Sequence, residues 1–217
     1  MRRVFLSPST QEHNIGHGGY GTEELRMNQV ADVIERVLKV HGIAVFRNQP
    51  EWSLARVVRE SNLIRPDIHL AIHSNAGGGR GAEVFAIQPG TSGDKLAKAV
   101  YSELESITPS ADRGVKYRDS LYELKFTKAP AAIVEVAFHD NPEDAKWILE
   151  NVEGIGVAIA KGVLTFWGTK FIKDKACLPP IDRLYRVQVG AFKSRDAAEA
   201  LLVKLRKAGF SAIIKKY

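Results

Sequence analysis

Apolar residues along most of this chain recur at two spacings, every second position and every third or fourth, which are the periods of strands and of helices. Arg3 to Leu6 opens it as a short strand, and Ser7-Pro8-Ser9 turns into a polar loop rich in Gly and His that runs to Gly21. Thr22 is a natural N-cap for the helix that follows. Glu23 and Glu24 suit the positive end of its dipole, and Val30, Val33, Ile34, Val37 and Leu38 form its apolar stripe up to Gly42. A second strand is expected at Ile43 to Phe46, a helix at Ser53 to Ile64 with Arg56 and Arg59 outward, and a third strand at His69 to His73. A strand at Gly81 to Ile87 precedes a helix at Ser92 to Ser106 that turns Leu96, Val100 and Leu104 inward. Ala132 to Phe138 is the most apolar strand, followed by a helix through Leu149 and a last one from Ile155 to Trp167.

Strand and helix alternate, so the fold class expected is α/β, with a mostly parallel central sheet and helices on both faces. From Gly168 the pattern breaks into Lys-rich residues, Cys177 and Pro179-Pro180. Residues 1–168 read as one domain, 169–182 as a linker, and 183–217 as a small βαβ unit with strands at Leu184 to Ala191 and Phe210 to Ile214 around a helix at Asp196 to Ala208. One βαβ unit is too small to bury a core by itself.

Composition narrows the class. The 217 residues allow one full domain and a small appendage, and 45% hydrophobic with 26% charged residues is ordinary for a globular protein. A formal charge of +6 points to an anionic partner. With no glycine-rich phosphate loop and no basic run interleaved with aromatics, nucleic acid is not the expected one. The single cysteine, Cys177, excludes an internal disulfide and a cysteine-rich zinc site, so a metal here must be held by His and carboxylate. The start, MRRVFLSPS, has too short an apolar run for a secretory signal, and no stretch approaches the roughly 18 apolar residues of a membrane span. The expectation is a soluble protein without membrane insertion, reaching the outside of a cell by lysis or another unusual route.

The stretch with the most chemistry is Asp67 to Gly79, DIHLAIHSNAGGG. Alternation puts His69, Ala71 and His73 on one face of a strand and Ile68, Leu70 and Ile72 on the other, making His73 the last inward residue before a glycine-rich loop. In an open α/β sheet that end is where ligands bind. His13 after the first strand, Glu23 at the start of the first helix, and Glu135, the one charge in AIVEVAF, converge on it if the strands share a sheet. Two histidines, one carboxylate and an open position make a catalytic zinc (Zn2+) site, with the second carboxylate left to act on water. Glu135 is hard to explain structurally, since burial among Val, Ala and Phe disfavours its charge. His17, within Gly16-His17-Gly18-Gly19, rivals His13, and Glu24 rivals Glu23. His41 reads as a helix C-cap, His69 as a packed or supporting residue, and His139 as lying beyond the strand end.

Three segments resemble the zinc-dependent N-acetylmuramoyl-L-alanine amidases of the amidase-3 family: FLSPSTQEHN with GTEELRMNQVADVI, LAIHSNAGGGRGAEVF, and KAPAAIVEVAFHDNPEDAKWI. The likeness covers about residues 1–168. It implies His73 and Glu23 as zinc ligands with one upstream His, and Glu135 as the catalytic glutamate. The first segment departs from the family: Ser7-Pro8 stands where Asp-Pro is usual, and the His is displaced. His13, nearer the strand end, is the choice over His17, and Glu23 is the choice over Glu24.

The tail, LYRVQVGAFKSRDAAEALLVKLRKAGFSAIIKKY, resembles a SPOR domain, a module whose family binds peptidoglycan glycan strands, but only one of the usual two βαβ halves is present. A lone half leaves an exposed edge, so pairing of two tails in a homodimer is expected. The resemblances imply a peptidoglycan hydrolase cleaving the bond between N-acetylmuramic acid and L-Ala, with the Asn75 to Arg80 loop and the Arg113 to Arg118 segment along its groove. It would act at the cell wall, as a mother-cell lytic amidase released from the cytoplasm or as a phage endolysin. Another zinc amidohydrolase, such as a carboxypeptidase, and a non-catalytic wall-binding protein are the other readings.

Overall fold

The chain is described here from a computed structural model, which describes residues 1–110, 113–173 and 189–209. It divides into two compact units, Met1–Leu178 and Pro179–Tyr217.

The first unit is built on a six-stranded sheet of order β2-β1-β3-β6-β4-β5. Its strands are β1 (Arg3–Pro8), β2 (Ala44–Arg47), β3 (Ile68–Asn75), β4 (Glu83–Ala86), β5 (Val115–Tyr117) and β6 (Ala131–Phe138). All neighbours run parallel except β4 against β6. The helices are α1 (Glu23–Val40), α2 (Leu54–Ile64), α3 (Ser92–Glu105), α4 (Tyr122–Phe126) and α5 (Pro142–Phe166). The second unit contributes α6 (Arg195–Lys207) at the expected helix, while the strand expected at 184–191 lies mostly, and that at 210–214 wholly, outside the described residues. Among the described residues no helix is long and apolar enough to cross a membrane.

The two faces of the sheet are covered unequally, and this positions the site. Val4, Leu6, Ile68, Leu70, Ile72, Val134 and Val136 pack with residues of α1, α3 and α5 into one large buried core. The other face carries a small apolar cluster of Ala71, Phe85, Ala131 and Ile133 with Leu124. The five-residue α4 and the eleven-residue α2 are too short to roof that face. The cleft of about 500 Å³ that they leave is lined by Ser7 to Gln11, Leu54, Val57, His73, Asn75, Arg118, Tyr122, Glu123 and Glu135.

Side-chain caps set the helix starts: Thr22 Oγ1 accepts from the Leu25 N–H, and Ser53 Oγ from the Arg56 N–H. The expected pair of helices after β6 is one element, α5, interrupted at Asn151 by non-helical angles (φ −125°, ψ 19°). β5 and α4 were not expected. Three half-exposed residues and five residues are too few for a period to register.

Candidate active site

Strand register brings the site together. His73 on β3 faces Glu135 on β6, and Glu135 in turn faces Glu83 on β4. Residues directly opposite share a face, so an imidazole and two carboxylates stand in one row across three strands. Glu23 is the first residue of α1, and its buried carboxylate accepts from His73 Nδ1 at 2.8 Å.

The loop before α1 supplies two amides. Asn14 Nδ2 donates to Glu23 Oε2 at 2.6 Å and to Gln11 Oε1 at 2.9 Å, and Gln11 Nε2 lies 3.4 Å from His73 Nδ1. His13 does not join them. Its side chain is 92% exposed, and its nearest ionic neighbour is Glu12 at 3.8 Å. The reason is local: backbone bonds from Glu12 N to Thr10 O and from Asn14 N to Gln11 O curl the loop so that positions 11 and 14 face the sheet and 12 and 13 face water. His17 is also exposed, its N–H donating to the His139 carbonyl at 2.8 Å.

A second layer lies beneath His73. His69, fully buried, is held by Ser61 Oγ at Nδ1 and Glu123 Oε1 at Nε2, both at 2.9 Å. The other oxygen of Glu123 stands 4.0 Å from His73 Nε2. His139, past the end of β6, bonds Ser74 through Nδ1, and Tyr20 bonds the same Ser74 hydroxyl at 2.7 Å, tying the loop before α1 to the end of β3. His41 caps α1 through Nδ1 to the Val37 carbonyl.

The charges are strongly coupled. Burial alone would lower His73, but the hydrogen bond to Glu23 and the charges of Glu135, Glu23 and Glu123 raise it to about 9. Glu23 is held below its ordinary value because the His73 contact, with Asn14 and Ser9, outweighs its burial. Burial pushes Glu135 up, His73 opposes this, Glu23 and Glu83 add to it, and the balance stands at about 7. Glu135 Oε2 is buried with no hydrogen-bond partner among the described residues. Glu83, by contrast, is satisfied by Asn75, Arg113 and Lys116 and sits below its ordinary value despite burial.

Among the described residues no three His, Cys, Asp or Glu side chains converge as a metal site. Glu23 and His73, paired at 2.8 Å beside a Glu135 oxygen that has no hydrogen-bond partner among the described residues, nevertheless offer the oxygen and nitrogen donor types that a divalent cation takes. Two of the sequence-chosen ligands, Glu23 and His73, fit such a cation. Glu123 and Glu83 were not singled out from sequence, although each is a lone carboxylate in an apolar run, the same signal that exposed Glu135. Gln11 and Asn14 carried no such signal.

Row, cleft and uneven covering make a candidate active site at the carboxyl ends of the parallel strands of a mostly parallel α/β sheet. The family model described as N-acetylmuramoyl-L-alanine amidase matches residues 4–165, and the chain belongs to that family, which is generally zinc-dependent. A second match, to the SPOR domain, covers residues 170–216. The N-acetylmuramoyl-L-alanine amidase CwlM of Bacillus licheniformis is 26% identical over 224 residues, spanning 99% of this chain and 85% of the relative. The sporulation-specific N-acetylmuramoyl-L-alanine amidase of Bacillus subtilis is also 26% identical, over 99% of this chain and 84% of the relative. The catalytic domain of CwlV, an N-acetylmuramoyl-L-alanine amidase from Bacillus (Paenibacillus) polymyxa var. colistinus, superposes with a TM-score of 0.72 at 18% identity. That match covers 78% of this chain and all of the other, a likeness of fold.

Proposed function

We propose that this chain hydrolyses the amide between the lactyl group of N-acetylmuramic acid and the L-Ala of the peptidoglycan stem peptide, with Glu23 and His73 holding a zinc ion and Glu135 moving the proton. The observation that carries the reading is the buried Oε2 of Glu135, unpartnered among the described residues and in register with a His73 that is ion-paired to Glu23. A zinc ion at this pair would polarise the scissile carbonyl and lower the pKa of a water towards about 7.

The chain's own residues do the rest. Glu135 takes a proton from the attacking water and delivers it to the amine of the departing peptide, so it begins and ends the cycle as a carboxylate. A buried carboxyl whose value burial raises above the ordinary range is suited to both halves of that transfer near neutral pH. Glu83 keeps its own charge balanced on Arg113 and Lys116, and its nearness raises Glu135 without competing for the proton. Asn14 and Gln11 would hold the outer side of the Glu23 and His73 pair, with His13 left in solvent.

The tail would keep the enzyme on glycan strands, and two chains would pair their tails to cover the open edges. The place of action would be the cell wall, reached after release from a mother-cell cytoplasm. Sedimentation of the full chain as a strict monomer would remove the pairing. The test of the reaction is product analysis on purified peptidoglycan. A released peptide beginning with a free L-Ala amine, absent with Glu135→Gln, is the expected result. Release of a terminal residue from the peptide's other end would make the chain a carboxypeptidase, and no product with zinc bound would remove the substrate class.

A further inference from the structure

Beside the cleft lies a second hollow that the reaction does not use. It is a groove of about 570 Å³ between α2 and α4, lined by Ala55, Val58, Arg59, Asn62, Leu63, Arg65, Tyr122, Phe126 and Lys128. Tyr122 lines both hollows, so the groove adjoins the cleft at that side chain. Its walls are fixed to one another: Asn62 Nδ2 donates to the Phe126 carbonyl at 2.9 Å, and the Lys128 N–H donates to Asn62 Oδ1 at 2.8 Å. The floor is apolar and partly open, with Tyr122 39%, Phe126 49% and Leu63 68% exposed, and the two aromatic rings lie 4.6 Å apart.

The charge is one-sided. Arg59, Arg65 and Lys128 line the groove, and among the described residues no carboxylate does. Arg59 pairs with Glu60 at its rim, whereas Arg65 and Lys128 have no ion-pair partner among the described residues. Aromatic faces beside unpaired cations suit a ligand that is partly apolar and carries free carboxylates. The proposed substrate has such a part, because stem peptides carry free carboxyl groups along and at the end of the chain.

We infer that the α2–α4 groove is a subsite for the carboxylate-bearing stem peptide of peptidoglycan, with Arg65 and Lys128 as its anion-binding residues and Tyr122 and Phe126 as its floor. The assignment rests on the proposed function, which names the polymer, and it adds where the peptide lies and what selects it. The groove favours free carboxylates, so peptides whose carboxyl groups are amidated bind less well.

The test uses the full chain carrying Glu135→Gln, which leaves the substrate uncut. Binding is measured by calorimetry for a disaccharide tetrapeptide with free carboxylates and for its carboxamide form, with and without Arg65→Gln and Lys128→Gln together. The double substitution should weaken the free-carboxylate ligand about tenfold and the carboxamide ligand less than about twofold. Equal losses on both ligands, or none on either, overturn the subsite. So does a loss confined to a glycerol-phosphate polymer tested in parallel, which would assign the cations to a different wall component. Hydrolysis of the same tetrapeptide ligand by the wild-type chain is assayed separately. Its failure would remove the proposed reaction while leaving the difference between the two ligands readable.

Discussion

His69 Nε2 and Glu123 Oε1 lie 2.9 Å apart, with 0% and 5% of their side chains reaching solvent. The bond sits between the sheet and α4, under the cleft, and it orients a carboxylate whose other oxygen lies 4.0 Å from His73 Nε2. Removing one partner of a buried pair leaves the other uncompensated, at a cost of about 3–5 kcal/mol. Glu123→Ala should therefore lower unfolding stability in urea by that order. His69→Leu combined with Glu123→Val should lose much less, because no unpaired polar group is left behind. If the double variant is no more stable than Glu123→Ala, the pair is not the source of the cost.

The ligand assignment is tested by metal content. His73→Ala and Glu23→Gln should each purify with far less zinc than the wild type, which should hold about one ion per chain. His13→Ala should keep the wild-type content, since its side chain is in solvent and points away from the pair. Zinc lost from His13→Ala, measured by elemental analysis, would mean that the loop rearranges when metal binds.

Glu135→Gln keeps the shape of the site and removes the proton carrier. Wall hydrolysis should fall at least about a hundredfold while zinc content is retained. A variant that loses zinc and activity together would make Glu135 a ligand instead.

The raised Glu135 also predicts a pH effect on the metal-free chain. The native carboxyl, at about 7, keeps its proton over a range where the unfolded one, near 4.5, has released it. The native state is thus penalised as pH rises from about 4.5, and the penalty is complete above about 7. Replacing the acid with Gln removes it. Metal-free Glu135→Gln should be more stable than the metal-free wild type at pH 8 by on the order of 3 kcal/mol, and the gap should close towards pH 4.5. Thermal melting of both chains after chelation gives the curve, and a gap independent of pH would refute the link.

Gly16 holds the loop that carries Gln11 and Asn14. A Cβ there would meet the Tyr20 ring at 2.3 Å and the His139 carbonyl oxygen at 2.9 Å. Gly16→Ala should destabilise the fold by about 1–3 kcal/mol and reduce activity by shifting the loop, read by melting and by the hydrolysis assay. Unchanged values for both would show that the loop gives way freely.

Local periodicity carried much of the architecture. The stripe from Val30 to Leu38 and the alternation from Ile68 to His73 each report a buried face within a few residues, so α1 and β3 stand where the sequence places them. The same logic found Glu135, because a charge inside an apolar strand is costly wherever that strand lies. It could have found Glu123 and Glu83 as well, but their elements, α4 and β4, are short enough to pass for loop or for an ordinary amphipathic strand.

What the sequence determined by itself was the alternation of elements, their inward faces, and the kinds of side chain able to do acid, base and metal chemistry, since these depend on neighbours within a turn or two. What only the tertiary structure decided was who meets whom. The parallel pairing of β3 with β6 and the antiparallel pairing of β4 with β6 set Glu135 between His73 and Glu83. The curl of the loop before α1 sends Gln11 and Asn14 to the site and His13 to water. Those outcomes rest on strand register and on backbone hydrogen bonds between distant or irregular segments, and no local period encodes either one.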